Sequence, residues 1–550
     1  MTVARYVVES LRLAGAGTLF GVPGVGGVCE GALWAAVEQA GARSVCMGHE
    51  QAAAHAADGY GRASGRPGAV FLPSGPAALA ALSALGEALV SSSPVVAIAS
   101  TIPSRLVGKG KGELGELGPI GQRWDPLPAY EAVTRFVARA MRATDVPDLL
   151  ARAIVEATAG RPGPVLVEIP PDILEAELDA APSAPSPERR GPPMEVVADA
   201  ATLLRLAARP VVWAGGGVLR SRASAELARL AEYLGAPVVT TFMGKGAIPE
   251  SHPLALGALV RFPAVQATIA RADLLIAVGT RFGAVPTSRW RIDLPPQTIH
   301  VDIDRAAIGR NYPVRLPVVA DARVALDAIT DALEAGTGAD RPERPDRPDR
   351  RDEVARLRKA AFDRAWREGP REMDLLRAIR DALPSDAVTV HDMTLVSAWA
   401  APFFPASVPG TFHGPYSFGT LGFALPAALG VSCALPGCPV VAFADHRTLA
   451  RHARELATAV RHGSPVTVVV FGDPVQGGEE PSSPLAAGPS PDLPRPDLQT
   501  LAAAYGVPWE SAGGPEELEQ ALHAAIGAGR PRLIEVPGAW GPAPLGPPYA

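Results

Sequence analysis

Residues Gly48 to Gly65 read G-H-E-Q-A-A-A-H-A-A-D-G-Y-G-R-A-S-G, directly after the short run Ser44 to Met47. That run is a candidate buried strand, and the alanine-rich stretch behind it favours a helix, expected over Gln51 to Arg62. Glu50 therefore stands at the turn from strand to helix. A carboxylate there has a plain structural use, because it caps free N–H groups and complements the helix dipole. It has a second use as well, since open α/β sheets bind ligands in the loops beyond the carboxyl ends of their strands. Two more small, backbone-exposing turns fall at the same edge: Phe20-Gly21-Val22-Pro23-Gly24 after the first strand, and Ser74-Gly75-Pro76 after another.

The alternation seen around Glu50 continues outward through the chain. Ala69 to Leu72, Pro94 to Ala99 and Pro164 to Ile169 are further short β-rich runs of the first block, and Ala77 to Leu89 is a second helical stretch. Pro210 to Ala214, Pro237 to Thr241, Leu274 to Val278 and Thr298 to Val301 repeat the pattern in a middle block. Ala387 to Val390, Pro439 to Phe443, Pro465 to Phe471 and Arg532 to Glu535 repeat it in a third. Strands alternating with helices predict parallel sheets covered on both faces. Ala180 to Pro193 and Gly336 to Asp352 lack apolar periodicity and read as linkers. The expected architecture is α/β, with three doubly wound domains of mostly parallel strands over residues 1–180, 194–335 and 353–550.

Composition narrows the function. With 51 basic against 57 acidic side chains the net charge is −6, which excludes nucleic-acid binding through bulk positive charge. The one basic run, Arg341 to Arg351, alternates with acids and prolines. Cys29, Cys46, Cys433 and Cys438 are too few for a disulfide framework and lack zinc spacing. The N-terminus has no uninterrupted apolar core of a signal peptide, and no apolar run reaches membrane-spanning length. A cytoplasmic protein with no membrane partner is expected.

Four spaced motifs carry a family resemblance. F-G-V-P-G, H-E-x-x-A-x-x-x-A-x-G-Y-x-R-x-x-G, S-G-P and R-P-G-P-V-L-V-E-I-P-x-D (Arg161 to Asp172) together resemble the pyrimidine-binding domain of thiamine-diphosphate enzymes of the acetolactate synthase and 2-oxoacid decarboxylase type. The resemblance runs nearly the whole chain in that family's order of pyrimidine-binding, middle and diphosphate-binding domains. It implies thiamine diphosphate and Mg²⁺ as cofactors, with a carboxyl group sharing a proton with the cofactor's aminopyrimidine. Glu50 matches that position. Pro23, Gly24 and Gly75 match cofactor contacts, and Val25 a substrate contact. H-G-P-Y-S-F-G-T-L-G-F-A-L-P-A-A-L-G (His413 to Gly430) is similar to the family's glycine-rich loop. It implies a Gly419 carbonyl that accepts the cofactor's amino group and a Leu421 side chain that bends the cofactor.

The diphosphate and metal motif departs from the family. Ala444-Asp445-His446 stands for G-D-G, Gly472-Asp473 stands for N-N, and one extra residue separates Asp445 from E-L-A-T-A-V-R-H-G (Glu455 to Gly463). Asp445, Asp473 and the Val475 carbonyl are the matching oxygen ligands for magnesium. Ala444 and His446 replace the backbone contacts of two glycines, and Arg447 is placed to pair directly with phosphate. Beyond them, Pro474 to Pro496 holds seven prolines in 23 residues and reads as a mobile loop rather than a helix. In the middle block, A-G-G-G-V (Ala214 to Val218) and V-D-I-D (Val301 to Asp304) are weak dinucleotide signals, and FAD is not expected.

For the substrate, G-K-G-K-G-E-L-G-E-L (Gly108 to Leu117) and D-M-T-L-V-S-A-W (Asp392 to Trp399) look most like the 5-guanidino-2-oxopentanoate decarboxylase branch, with Gly115 where that branch has histidine. Glu113, Glu116 and Asp392 are candidates to face a guanidinium, whose planar fork suits carboxylates. The resemblance implies decarboxylation of a 2-oxoacid by a homodimer or tetramer with its active site between subunits. Two other readings stand beside it: a carboligase of acetolactate synthase type, and a divergent homologue that has lost thiamine chemistry, motivated by His446, Arg447, His452 and Asp473.

Overall fold

The computed structural model describes residues 1–23, 31–109, 125–335, 347–472 and 496–544. The first domain holds strands β1 (Thr18–Gly21), β2 (Arg43–Cys46), β3 (Gly68–Leu72), β4 (Val95–Ser100), β5 (Phe136–Arg139) and β6 (Pro164–Ile169), all parallel, in the order β2-β1-β3-β4-β6-β5. The middle domain holds β7 (Pro210–Ala214), β8 (Val238–Thr240), β9 (Ala255–Gly257), β10 (Leu274–Val278), β11 (Thr298–Asp302) and β12 (Leu316–Val319). These are again parallel, in the order β12-β11-β10-β7-β8-β9. The third holds β13 (Val388–His391), β14 (Phe412–His413), β15 (Val440–Asp445), β16 (Val466–Phe471), β17 (Trp509–Ser511) and β18 (Arg532–Val536), in the order β14-β13-β15-β16-β18-β17.

The orders matter for the site. The first and third domains have one topology: counted within each domain, both run 2-1-3-4-6-5. The strand order reverses beside β1 in one and beside β13 in the other, and crevices at such reversals are where doubly wound sheets hold ligands. The central strands are continuous apolar runs because helices cover both faces of each sheet; β3, β4, β15 and β16 are buried at every residue.

Every strand anticipated from sequence is present, within one or two residues. Those not anticipated are edge strands: β5, β12 and β17 are only partly buried along their length, β14 is two residues long, and β9, though buried, is three. Such strands carry little apolar signal. The helix expected over Gln51 to Arg62 runs from Glu50 to Ser64 (α1), whereas the one expected over Ala77 to Leu89 is two helices, Pro76–Ala80 and Leu82–Val90. The second linker is corrected at its described end. Arg347 and Arg350 donate to the carbonyls of Ala207 and Pro210, and Arg350 is buried, so this basic stretch docks on the middle domain rather than standing in solvent.

One core cluster joins the first and third domains. At its centre α1 crosses the helix Ala424–Ala434 (α2), and both are built from small residues, which lets their backbones touch. A Cβ at Gly59 would lie 2.2 Å from the Ala427 carbonyl oxygen, and one at Gly430 would lie 1.8 Å from that of Ala56. Arg62 closes the seam. It forks onto Asp58 at 2.8 and 2.7 Å, reaches Glu87 at 3.2 Å, donates to the Gly414 carbonyl at 2.8 Å and lies over the Phe423 ring.

Candidate functional site

Glu50 is the first residue of α1, and the turn before it is held by the third domain of the same chain. The N–H of Gly48 donates to the Glu455 carboxylate at 3.1 and 3.2 Å, while the Gly48 carbonyl accepts from Arg454 Nη1 at 3.2 Å. A Cβ at Gly48 would meet Arg454 Cδ at 2.7 Å, so a side chain there would displace Arg454. Glu455 is itself fixed by the Thr458 hydroxyl at 2.7 Å, and burial pushes its carboxyl group up from the ordinary value. His49 caps the helix by accepting from the Gln51 N–H, and its Nδ1 lies 4.0 Å from Glu50 Oε2. The Glu50 side chain keeps 17% of its surface open. Gly75, with φ of 66°, caps the Pro76–Ala80 helix beyond β3, and Pro23 is exposed at the end of β1. Gly24 and Val25 lie outside the described residues.

The third domain supplies the facing side. Gly419 and Gly422 take φ of 91° and 85°, values reserved for glycine, and Leu421 between them is 38% exposed beside Phe418 at 54%. Asp392 lies at the end of β13 beneath this loop. Its carboxylate accepts from the N–H groups of Met393, Gly422 and Ala424 at 2.9, 3.0 and 3.1 Å. Burial, with Asp445 adding repulsion, pushes its pKa up to about 7 despite those donors. Expected to face a substrate cation, Asp392 is instead buried and committed to the backbone of the glycine loop.

At the end of β15, Ala444 and Asp445 are buried and the helix His446–His452 (α3) begins. Asp445 Oδ1 accepts from the Thr448 N–H at 2.7 Å, and Oδ2 faces Arg447 Nη2 at 3.4 Å. His446 Nε2 lies 3.6 Å from Glu535 Oε1, and its buried Nδ1 has no hydrogen-bond partner among the described residues. Asp473 and Val475, the other expected metal ligands, lie outside the described residues, as do Glu113, Glu116 and nearly all of the proline-rich stretch. Among the described residues no three carboxylate, imidazole or thiol groups are placed to share a metal ion.

Sequence reasoning did not single out Arg62, Glu87, Arg454 or Glu455. Glu87 accepts from the Ser91 hydroxyl and lies 3.5 Å from the Thr420 N–H, so it ties the first domain to the glycine loop. Arg62 and Glu455 stood in the G-Y-x-R and E-L-A-T-A motifs, whereas Glu87 and Arg454 stood in no motif, and the role of all four depends on contacts between distant segments. His452 sits in the same seam, its ring 5.8 Å from that of His49 and 6.3 Å from that of His55.

A cleft of about 950 Å³ opens where the middle domain meets the other two, at the strand-order reversal between β7 and β10, lined among others by Gly215, Gly217, Arg161, Arg281 and Asp302. Burial raises the Asp302 pKa to about 6 and lowers that of Arg281 to about 10. No described helix is long and apolar enough to cross a membrane.

Two like-ordered parallel domains are joined through a glycine seam, one presenting a carboxylate and the other a glycine loop with an aspartate at a strand end, and together they define a doubly wound α/β protein with its candidate site residues at the strand ends of these two domains. Three family descriptions match the chain in order: thiamine pyrophosphate enzyme, N-terminal TPP binding domain, over residues 1–119; central domain, over 197–329; and C-terminal TPP binding domain, over 392–536. The chain belongs to the thiamine pyrophosphate enzyme family. It is 32% identical over 570 residues to a probable acetolactate synthase large subunit of Methanocaldococcus jannaschii, covering 98% of this chain and 92% of that one. It is 34% identical over 542 residues to a probable 2-ketoarginine decarboxylase of Pseudomonas aeruginosa, covering 98% and 94%. To the acetolactate synthase large subunit of Corynebacterium glutamicum it is 34% identical over 489 residues, covering 86% and 75%.

The residues present fit the cofactor that the family implies. Gly419 and Gly422 hold their loop in a conformation reserved for glycine, and Gly422 packs directly on α3, where a Cβ would meet His452 Cδ2 at 2.8 Å and Arg451 Cβ at 3.0 Å. His446, next to Asp445, leaves a buried Nδ1 with no hydrogen-bond partner among the described residues, an atom open to a ligand.

Proposed function

We propose that this chain decarboxylates a 2-oxoacid, with a guanidino 2-oxoacid as the candidate substrate in keeping with the 34% identity to a probable 2-ketoarginine decarboxylase. The observation that carries the reading is the clamped Gly48 turn, which holds Glu50 half-buried against the third domain. Thiamine diphosphate, when bound, supplies the carbon that adds to the 2-oxo group and the electron sink that makes loss of carbon dioxide feasible. Glu50 holds and returns the proton on the cofactor's pyrimidine. The Gly419 carbonyl and Leu421 orient that ring, and Pro23, Gly24 and Gly75 are the further positions assigned to the cofactor. Asp392 positions the glycine loop and makes no substrate contact, so Glu113 and Glu116 remain the candidates to recognise a cationic substrate, and Val25 remains the other substrate position. At the diphosphate end Ala444, His446 and Arg447 are the positions assigned to the anion, with Asp445, Asp473 and the Val475 carbonyl assigned to magnesium. A homodimer or tetramer fits the exposure of Phe418 and Leu421, which an opposing subunit would cover. The reading needs nothing in the middle-domain cleft.

A carboligase is the second reading, favoured by the comparable identity to acetolactate synthases. Calorimetry with millimolar thiamine diphosphate and magnesium tests the shared premise, and absence of binding defeats both. Aldehyde or acyloin formed from supplied 2-oxoacids decides between them. Glu50→Gln is expected to fold normally and bind the cofactor but to lose exchange of the cofactor's C2 proton; unchanged exchange removes Glu50 from its role.

A further inference from the structure

Arg220 is a cation for which the described residues supply no counter-ion. It stands in the last turn of the helix Gly216–Ser221, directly after β7, and its guanidinium makes one hydrogen bond, from Nη1 to the Arg62 carbonyl oxygen at 3.5 Å. Arg222 beside it donates to the Ser64 carbonyl. The acids of the neighbouring cluster both belong to Arg62: Asp58 accepts from it through both oxygens, and Glu87 lies 3.2 Å from it. Burial lowers the Arg220 pKa to about 10, with the Arg62 charge adding repulsion. A charge withdrawn from water in this way is ordinarily paired.

Arg220 lines a pocket of about 400 Å³ where all three domains meet, between the end of α1, the helix Gly216–Ser221 and the segment Pro409–Gly414. Phe242 and Phe412 are buried in its apolar floor. Two more polar groups of its lining lack partners. The buried Ser224 Oγ is a free donor, and His413, 8% exposed, bonds the Gly410 backbone through one ring nitrogen and leaves Nε2 unmet. Burial, with Arg220 and Arg62 adding repulsion, lowers the His413 pKa to about 3, so the ring is neutral and Nε2 accepts. We infer that this pocket binds a small hydroxy acid: its carboxylate pairs with Arg220 and Ser224, its hydroxyl donates to His413, and its apolar body lies on Phe242 and Phe412. An amino acid suits the place less, because its ammonium would face the arginines, and phosphate less, because the floor is apolar. The site is separate from that of Glu50, which begins α1, whereas the pocket lies at its other end, roughly 18 Å along the helix.

The test is calorimetric titration of the full chain, without thiamine diphosphate, with phenyllactate as the probe, so its outcome does not depend on the thiamine reading. Phenylpropanoate, phenyllactamide and inorganic phosphate lack in turn the hydroxyl, the charge and the apolar body. Each is expected to bind more weakly, the amide by at least ~10-fold, the worth of a charge-assisted hydrogen bond. Arg220→Met is expected to lose phenyllactate by the same factor, and Arg220→Lys, which keeps the charge without the fork, to fall between. Without ligand, Arg220→Met should melt no lower than the parent, because the cation it removes has no internal partner. Saturating phenyllactate should then raise the melting point of the parent and not of Arg220→Met. No binding by the parent at millimolar phenyllactate overturns the inference, as does equal affinity for any of the three analogues. Binding undiminished in Arg220→Met overturns it too, and so does an Arg220→Met protein that melts several degrees below the parent or fails to fold, since the arginine would then be structural.

Discussion

Replacing Gly430 by alanine tests whether the first and third domains of one chain meet as closely as the seam between α1 and α2 requires. The new Cβ would lie 1.8 Å from the Ala56 carbonyl oxygen, 2.7 Å from its carbon and 2.9 Å from the Tyr60 nitrogen, all main-chain atoms that no rotamer change can move. Real Cβ contacts do not fall below 3.0 Å, so the helices must part by at least 3.0 − 1.8 = 1.2 Å. A gap of that size forfeits up to about half of the dispersion energy across the seam, and overpacking of this kind costs ~3 kcal/mol. Alanine regains ~1 kcal/mol of helix propensity, leaving a net loss of ~2 kcal/mol. For domains of this size that corresponds to a melting point lower by about 4–8 °C in differential scanning calorimetry. The same change at Gly527, the last residue of the helix Pro515–Gly527 with nothing within 4 Å of its Cβ, is the control and is expected to be neutral or stabilising. Gly430→Ala should also weaken cofactor binding, because α1 carries Glu50. A Gly430→Ala protein melting within ~1 °C of the parent would refute the seam geometry, since the propensity gain alone cannot hide a main-chain collision.

Arg62→Met leaves Asp58 and Glu87 buried without their cation and is expected to cost about 3–5 kcal/mol in denaturant unfolding; Arg229→Met, at an exposed group of three carboxylates, should do far less. Burial lowers the pKa of His55 to about 3, His413 to about 3 and His452 to about 4, from 6.5. Below pH 6.5 the unfolded chain therefore takes up protons that the folded chain refuses, and stability should fall by up to ~1.4 kcal/mol per pH unit for each imidazole. An unfolding midpoint that stays flat from pH 7 to pH 5 contradicts this. Asp392 has the opposite sign: with its pKa raised from 3.8 to about 7, its contribution is full at low pH and is lost as pH rises through that window. Asp392→Asn removes up to about 4 kcal/mol of that slope, so its stability relative to the parent should improve from pH 4.5 to pH 8; parallel curves would exclude the shift.

What the sequence made legible follows from what each signal depends on. Buried parallel strands such as β4 and β16 declare themselves because both faces are covered, so the run is apolar throughout. The edge strands β12 and β17 pair on one side only and read as loops. Glu50 was legible from its strand-to-helix position, but the residues that hold it were not, because Glu455 lies |i−j| = 407 from Gly48 and no local pattern links the two. Asp392 was misassigned for a related reason. A carboxylate beside a glycine loop looks available for a ligand until the loop's own N–H groups are seen to occupy it.

The shared strand order of the first and third domains explains why the site has two ends with different tolerance for change. The seam leaves no room for a side chain at Gly59 or Gly430, and Arg62 joins both domains through buried ion pairs. A change there disturbs the folding of both domains at once, so that end keeps the family's residues. The end of β15, by contrast, carries a helix of seven residues that opens towards solvent at Arg447. Substitutions there cost little folding energy, so A-D-H-R can stand where G-D-G stood while the sheet beneath it stays the same. Divergence from the family pattern in this enzyme therefore belongs at that end. It can proceed without disturbing Glu50, because the contacts that hold Glu50 run through Gly48, Arg454 and Glu455 rather than through Asp445.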